Sequence, residues 1–368
     1  SRILEPAIRT AKSGAIINDA QEYLFKILFK PNGKLIKAGE RFKNPNFANY
    51  LEQIIFEGSN FLYRGDLTDK IDDFMGDEGL LKKEDFSNYK VIERTPLKID
   101  FYGKTIITNP IPSPGGTLIA FALKIISQKF PGEKIDNRLL TLSMRLAQIA
   151  RSETTTGKNR TYSLAEILRP SYFKRYLDLF DSEISIKPNK EKASYGSTTH
   201  LSIIDSQGNA ASVTTTNGEG CGYIIPGTGI MMNNILGEED LNPDGFHNWE
   251  TTKRMETMMS PTIVIGDFGP ELVLGSGGSN RIRSAIKQVI VNKFIKNMNL
   301  EEAIQAPRIH LEENIIHCES GINTANLIFP WSTIHHWHEK NLFFGGVNAV
   351  TPTSAVGDPR RSGYGLLR

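Results

Sequence analysis

Apolar residues recur at helical spacing near the start of the chain, through Ile3, Leu4, Ala7, Ile8 and Ala11, and again through Tyr50, Leu51, Ile54, Ile55 and Phe61. Steps of three and four put such residues on one face, so helices are expected over most of residues 1–100, with Gly14, Gly58 and Gly65 as stops. The period then shortens. Lys98–Tyr102 and Lys104–Thr108 read as two strands across Gly103. Proline-rich Asn109–Gly116 feeds an apolar helix expected from Thr117 to Ile126. Residues 151–195 are polar and irregular around a short helix, and Lys187–Gly196 reads as the most exposed stretch, where a backbone cut is tolerated.

From Thr199 the pattern becomes β. His200–Ile204 alternates, Asp205–Asn209 makes a turn and Ala210–Thr216 returns, which is a hairpin signature. A second hairpin spans Thr262–Leu274 and runs through Gly275-Ser-Gly-Gly-Ser279 into a helix expected over Arg281–Ile295. Asn299-Leu-Glu-Glu302 has capping-box spacing before one more helix.

Composition narrows this picture. The 368 residues, 39% hydrophobic and 23% charged, suffice for a large core in two domains or one interleaved one. The 43 basic and 41 acidic residues are dispersed, net +2, which argues against a nucleic-acid partner. Cys221 and Cys318 are too few for a disulfide framework or a structural zinc site. No stretch approaches the ~18–20 apolar residues of a membrane span, and none has the form of a secretory signal. The chain opens at Ser1 in helical periodicity without a methionine, so the natural N-terminus is expected to lie upstream.

Thr198 heads the first hairpin, after the exposed stretch. A threonine hydroxyl is a poor nucleophile unless a base adjoins it, and its own α-amine serves once the chain is cut in front of it. Its hydroxyl would first attack the carbonyl of Ser197; the freed amine, with an ordinary pKa near ~8, would then act as base near neutral pH. A second hydroxyl stands at the end of the returning strand, and the Gly-Gly turn aims backbone N–H groups at an anion or a developing oxyanion. The residues alone leave two plainer readings open, β-propensity for the threonines and a tight turn without a ligand for the glycines. A phosphate loop is excluded, because neither of its glycine motifs is present.

Ser197–Thr216, Gly227–Asn234, Met259-Ser-Pro-Thr262 and Gly275-Ser-Gly-Gly-Ser279 resemble the γ-glutamyltranspeptidase family. Lys83–Tyr89, Glu93-Arg-Thr-Pro96 and Pro112–Gly116 are similar to its large subunit, and Gly357-Asp-Pro-Arg-Arg361 to its C-terminal end. The resemblance implies an α+β fold, a four-layer αββα sandwich of the amino-terminal-nucleophile type, self-cleaved into a large subunit (1–197) and a small one (198–368) that stay intertwined as a heterodimer. It implies Thr198 as nucleophile, Thr216 as its supporting hydroxyl, and Gly277 and Gly278 as the oxyanion-binding pair. For substrate it implies Glu238 or Glu239 at the glutamyl amine, Asn233 and Asn234 shaping that pocket, and contributions from Asn217 and Thr257. A small γ-glutamyl compound such as glutathione is the expected acyl donor and water or an amino acid the acceptor, with no cofactor and no metal. The family places such enzymes in the periplasm or outside the cell; this sequence does not fix the compartment.

Three positions depart from the family pattern. Thr257-Met258 stands where a serine pair is usual, Ile235 where a glutamine is common, and Gly218 replaces an asparagine, with Asn217 as the substitute. These departures keep open a related amidohydrolase, such as an acylase or a poly-γ-glutamate hydrolase. An arginine for the substrate carboxylate belongs to a segment preceding the region that matches Ser1, and Arg9 is not given that role. Its loss keeps open a truncated, inactive relative.

Among other candidates, His335-His-Trp-His338 is expected on a surface helix as solvated or packing residues, not as metal ligands. His200, opposite Leu201 in the alternation, is expected to be structural. Cys221 falls in a glycine-rich loop near the expected site without a histidine partner. Asp69–Asp73 is expected on a solvated helix face and Asp244 in a turn.

Overall fold

The computed structural model describes residues 2–28, 35–77, 79–131, 135–155, 163–181, 198–242, 245–248 and 253–368. The stretch 187–196 expected to be exposed, Ser197 and Asp244 lie outside these residues. The chain divides into two compact units, Ser1–Arg94 with Gly220–Asn234, and Thr95–Glu219 with Ile235–Arg368.

The smaller unit is mostly helical, as the periodicity predicts. It contains α1 (Glu5–Ser13), β1 (Ala15–Ile16), α2 (Asp19–Leu28), β2 (Arg41–Phe42), α3 (Pro45–Glu57), α4 (Ser59–Arg64), α5 (Asp66–Met75) and α6 (Lys83–Ser87). Asn44 caps α3 by accepting from the Phe47 N–H, Pro45 fits the first turn, and Gly58 at φ 71° ends the helix. The loop 220–234 is tied to this unit because the Asn44 amide also donates to the Gly229 carbonyl at 2.8 Å. Phe74 stacks on Tyr223, with ring centroids 3.7 Å apart. Asp69 and Asp73 are exposed on α5, on the solvated face expected for them.

The larger unit opens with β3 (Leu97–Phe101), β4 (Lys104–Thr108), α7 (Pro114–Lys129), α8 (Asn137–Thr155) and α9 (Pro170–Asp181). The first hairpin follows as β5 (Thr199–Ile204) and β6 (Ala210–Thr215), the second as β7 (Thr262–Gly266) and β8 (Gly269–Gly277). Then come α10 (Ile282–Phe294), α11 (Leu300–Gln305), β9 (Ile309–Glu312), β10 (Ile315–Cys318), β11 (Thr333–His336), β12 (Gly346–Thr351) and β13 (Ser354–Val356). The helix expected over 117–126 is longer at both ends, because Pro114 fills its first turn and the following glycines are buried there.

Six antiparallel strands form one sheet in the order β13-β12-β8-β7-β4-β3. Side chains alternate across a strand, so Leu272 and Leu274 of β8 enter the core built with α7, α8 and α10. The intervening positions of β8 face the β5–β6 hairpin, which packs on the same strand from the other side. Helices, sheet and hairpin thus stack as α, β and β, within the α+β class expected.

The stretch His335–His338 is a correction to the sequence reading. It begins in a strand, not a helix: β11 runs parallel to β10, and Trp337 stacks on Phe343 with centroids 4.8 Å apart. Aromatic packing and strand pairing override the polar look of the segment. Among the described residues no group of three His, Cys, Asp or Glu is placed to hold a metal, and no helix is long and apolar enough to cross a membrane.

Candidate active site

The hairpin carries its polar face inward. His200, Ser202, Ser212 and Thr214 point to the six-stranded sheet, while Leu201, Ile203 and Val213 point away and are exposed. Buried polar groups need partners, and these have them. His200 Nδ1 lies 2.8 Å from Thr214 Oγ1 and its Nε2 2.8 Å from Ser202 Oγ. Ser202 Oγ donates to the Asn348 carbonyl, Asn348 Nδ2 donates to the His200 carbonyl, and Ser212 Oγ donates to the Leu274 carbonyl. Burial pushes the His200 pKa down to about 4, so the ring is neutral at pH 7. A Cβ on Gly275 would fall 2.3 Å from that ring, so the layers approach this closely only because β8 has glycine there. This is the structural role expected for His200.

The hairpin register pairs Thr199 with Thr215, which brings the next residues out, Thr198 and Thr216, side by side. Thr198 Oγ1 donates to Thr216 Oγ1 at 3.2 Å, and the Gly218 N–H donates to the same oxygen at 2.9 Å. Thr216 is therefore oriented by a backbone donor and accepts from the Thr198 hydroxyl. The Thr198 carbonyl abuts β8, where a Cβ on Gly277 would lie 2.3 Å from its oxygen. Gly278 follows at φ 125°, a backbone state that disfavours any side chain, and Ser279–Arg281 form a 3-10 turn leading into α10. Two hydroxyls, a close backbone approach and a glycine turn at the head of a long helix thus converge on one spot. Chemically, that is a hydroxyl beside a hydrogen-bond acceptor and a partly positive backbone terminus.

The other expected residues lie on separate segments of the chain. Asn217 is exposed next to Thr216. Glu238 precedes the 3-10 turn Glu239–Leu241, and its carbonyl accepts from Asn242 Nδ2. Thr257 Oγ1 accepts from the Met259 N–H, and its carbonyl accepts from Ser113 Oγ, so it braces the turn before β7. Asn234, whose Oδ1 accepts from the Gly220 N–H, belongs to the smaller unit, as does the exposed free Cys221.

The family profile described as Gamma-glutamyltranspeptidase matches residues 1–367. The chain belongs to this family. It is similar to a glutathione hydrolase proenzyme of Pseudomonas aeruginosa, at 31% identity over all of this chain and 73% of that protein. A glutathione hydrolase proenzyme of Escherichia coli is also 31% identical, over 84% of this chain and 60% of its own length. The chain thus spans between three fifths and three quarters of these relatives. The solved structure of a cephalosporin acylase from Bacillus halodurans has the same fold, with a TM-score of 0.80 at 22% identity, covering 98% of this chain and 72% of that one.

Within this γ-glutamyltranspeptidase-family chain, sequence reasoning overlooked one group at the glycine turn. Arg361 Nη1 lies 3.3 Å from where a Gly277 Cβ would be, and Nη2 3.5 Å from that of Gly278. The only signal was its place in Gly357-Asp-Pro-Arg-Arg361, which carries no distance information.

Proposed function

We propose that this chain self-cleaves between Ser197 and Thr198 and then acts as a γ-glutamyltransferase or hydrolase on glutathione-like compounds. The Thr198 hydroxyl attacks the Ser197 carbonyl, the acyl group moves from nitrogen to oxygen, and water hydrolyses the ester to leave a Ser197 carboxylate and a free Thr198 amine. That amine accepts the hydroxyl proton as Oγ1 attacks the γ-glutamyl carbonyl, and returns it to the leaving amine. Gly277 and Gly278 N–H groups stabilise the tetrahedral oxyanion. Water or an amino acid then attacks the acyl-enzyme ester and releases Thr198.

The observation that carries this reading is the Thr198–Thr216 hydroxyl pair at 3.2 Å, with the Thr198 carbonyl against Gly277. Cleavage at 197/198 would leave two subunits that share one sheet, since β4 from the first part pairs with β7 from the second. Glu238, Glu239, Asn217, Asn234 and Thr257 are the proposed substrate-contacting residues. The full-length protein is expected as two bands on a denaturing gel with Thr198 as a new N-terminus. It should also form a covalent adduct on Thr198 with a glutamine-analogue electrophile. Thr198→Ala should stay one band and lose turnover of a γ-glutamyl anilide by on the order of 10³-fold or more. A wild-type protein that remains a single band sinks the reading.

A second reading, the same machinery on another acyl group, is favoured by Ile235, Gly218 and the Thr257-Met258 pair. Comparing γ-glutamyl with other acyl anilides separates the two.

A further inference from the structure

Three glycines of the larger unit lie along one arginine. A Cβ on Gly346 would fall 2.7–2.8 Å from Cβ, Cγ and Cδ of Arg361, and hypothetical Cβ atoms on Gly277 and Gly278 approach its two terminal nitrogens at 3.3 and 3.5 Å. The sheet therefore omits side chains along a track from β12 to the turn after β8, and the Arg361 side chain occupies it. The same missing Cβ of Gly277 lies 2.3 Å from the Thr198 oxygen, so the guanidinium and that carbonyl flank one glycine.

The guanidinium is also anchored by a backbone carbonyl. Arg361 Nη2 donates to the Leu342 carbonyl, Arg281 Nε to the Phe343 carbonyl and Arg308 Nη1 to the Phe344 carbonyl. Three arginines thus hold successive carbonyls of one 3-10 turn, Leu342–Phe344. The backbone of Arg361 is fixed by its neighbours, because Asp358 accepts from the Arg360 N–H and side chain and from the Val347 N–H. Burial, with nearby Arg281 adding to it, pushes the Arg361 pKa down to about 10, which leaves it charged at neutral pH.

We propose that Arg361 is a positioning residue for the glycine turn: its guanidinium holds Gly277 and Gly278 in place and adds fixed positive charge where the oxyanion develops. The inference rests on the proposed acyl-transfer reading for its chemical meaning. Arg361 acts through the two glycines and through its field.

Its test uses the full-length protein and a γ-glutamyl anilide. Arg361→Ala is expected to lower kcat by about 10- to 100-fold with KM changed less than about 3-fold, and added guanidinium to restore at least about 5-fold of the loss. Arg361→Lys, which keeps charge and stem, should lose less than Arg361→Ala and guards against misfolding. Equal losses in both variants with no rescue by guanidinium, or a kcat within about 2-fold of wild type in Arg361→Ala, overturn the proposal. A second readout needs no turnover. In protein labelled with ¹⁵N-glycine, the Gly277 and Gly278 amide signals should move in Arg361→Ala and be closer to wild type in Arg361→Lys. Unmoved signals overturn the positioning role. A wild-type protein that neither cleaves itself nor forms the Thr198 adduct defeats the acyl-transfer reading instead, and the glycine signals still decide whether Arg361 sets the turn.

Discussion

At the scale of single residues, the site depends on what one position lacks. Gly277 has no Cβ, and the space where one would be is already occupied by the Thr198 carbonyl on one side and approached by Arg361 on the other. Backbone cannot yield as a flexible side chain does, so Gly277→Ala should displace the strand that Thr198 heads or the turn. Self-cleavage and anilide turnover are expected to fall on the order of 100-fold, with a stability loss of about 1–3 kcal/mol. A gel and a urea melt check both. Gly277 was legible as part of a glycine motif, but its close approach to Thr198 was not, because the two meet only through the packing of two layers. The Thr198–Thr216 contact was nearer to hand: the turn at Asp205–Asn209 fixes the hairpin register, and the register pairs the residues beside them.

At the scale of elements, the first hairpin and α10 both bury polar groups that the sequence does not mark as buried. Lys287 of α10 is 2% exposed; its Nζ donates to the Leu140 carbonyl and to Ser143 Oγ, and burial pushes its pKa down to about 7. It borders a cavity of about 20 Å³ shared with Gln148, Ser284 and His310, room for one water. The folded pKa lies below the ordinary 10.5, so between those values the unfolded chain binds a proton that the folded one does not. Stability from this group therefore rises with pH across that window, by up to about 1.4 kcal/mol per pH unit, and the full cost of the buried charge is present below pH 7. Lys287→Met should flatten that slope and stabilise the fold at pH 6 by on the order of 1–4 kcal/mol, measured by urea unfolding at several pH values. Periodicity located α10 to within a residue or two. It did not show that this helix is enclosed nearly all round, since a lysine at i+4 from an arginine reads as a solvated face until three other elements close over it.

At the scale of the whole molecule, the chain end is locked into the larger unit by buried ions. Arg308 Nη2 donates to Asp358 at 2.6 Å, and Arg360 pairs with both Asp358 and Glu319. Removing one member leaves buried charge without compensation, so Asp358→Ala is expected to cost about 3–5 kcal/mol and to lower the urea midpoint markedly. If the clamp also sets Arg361, turnover should fall in the protein that remains folded. The sequence by itself determined the main helices, the two hairpins and the family: helical and alternating periods follow from backbone geometry, turn residues fix hairpin register, and the motifs around Thr198 and Gly277 mark the family to which the chain belongs. Tertiary structure alone decided which separated residues meet, that the hairpin faces inward with its polar side, that His335 lies on a strand, and that Arg361 lies along the glycine track. The reason is physical. Local patterns record what each segment prefers, whereas close approach of layers and pairing of buried charges are properties of segments far apart in sequence, visible only once the core has closed.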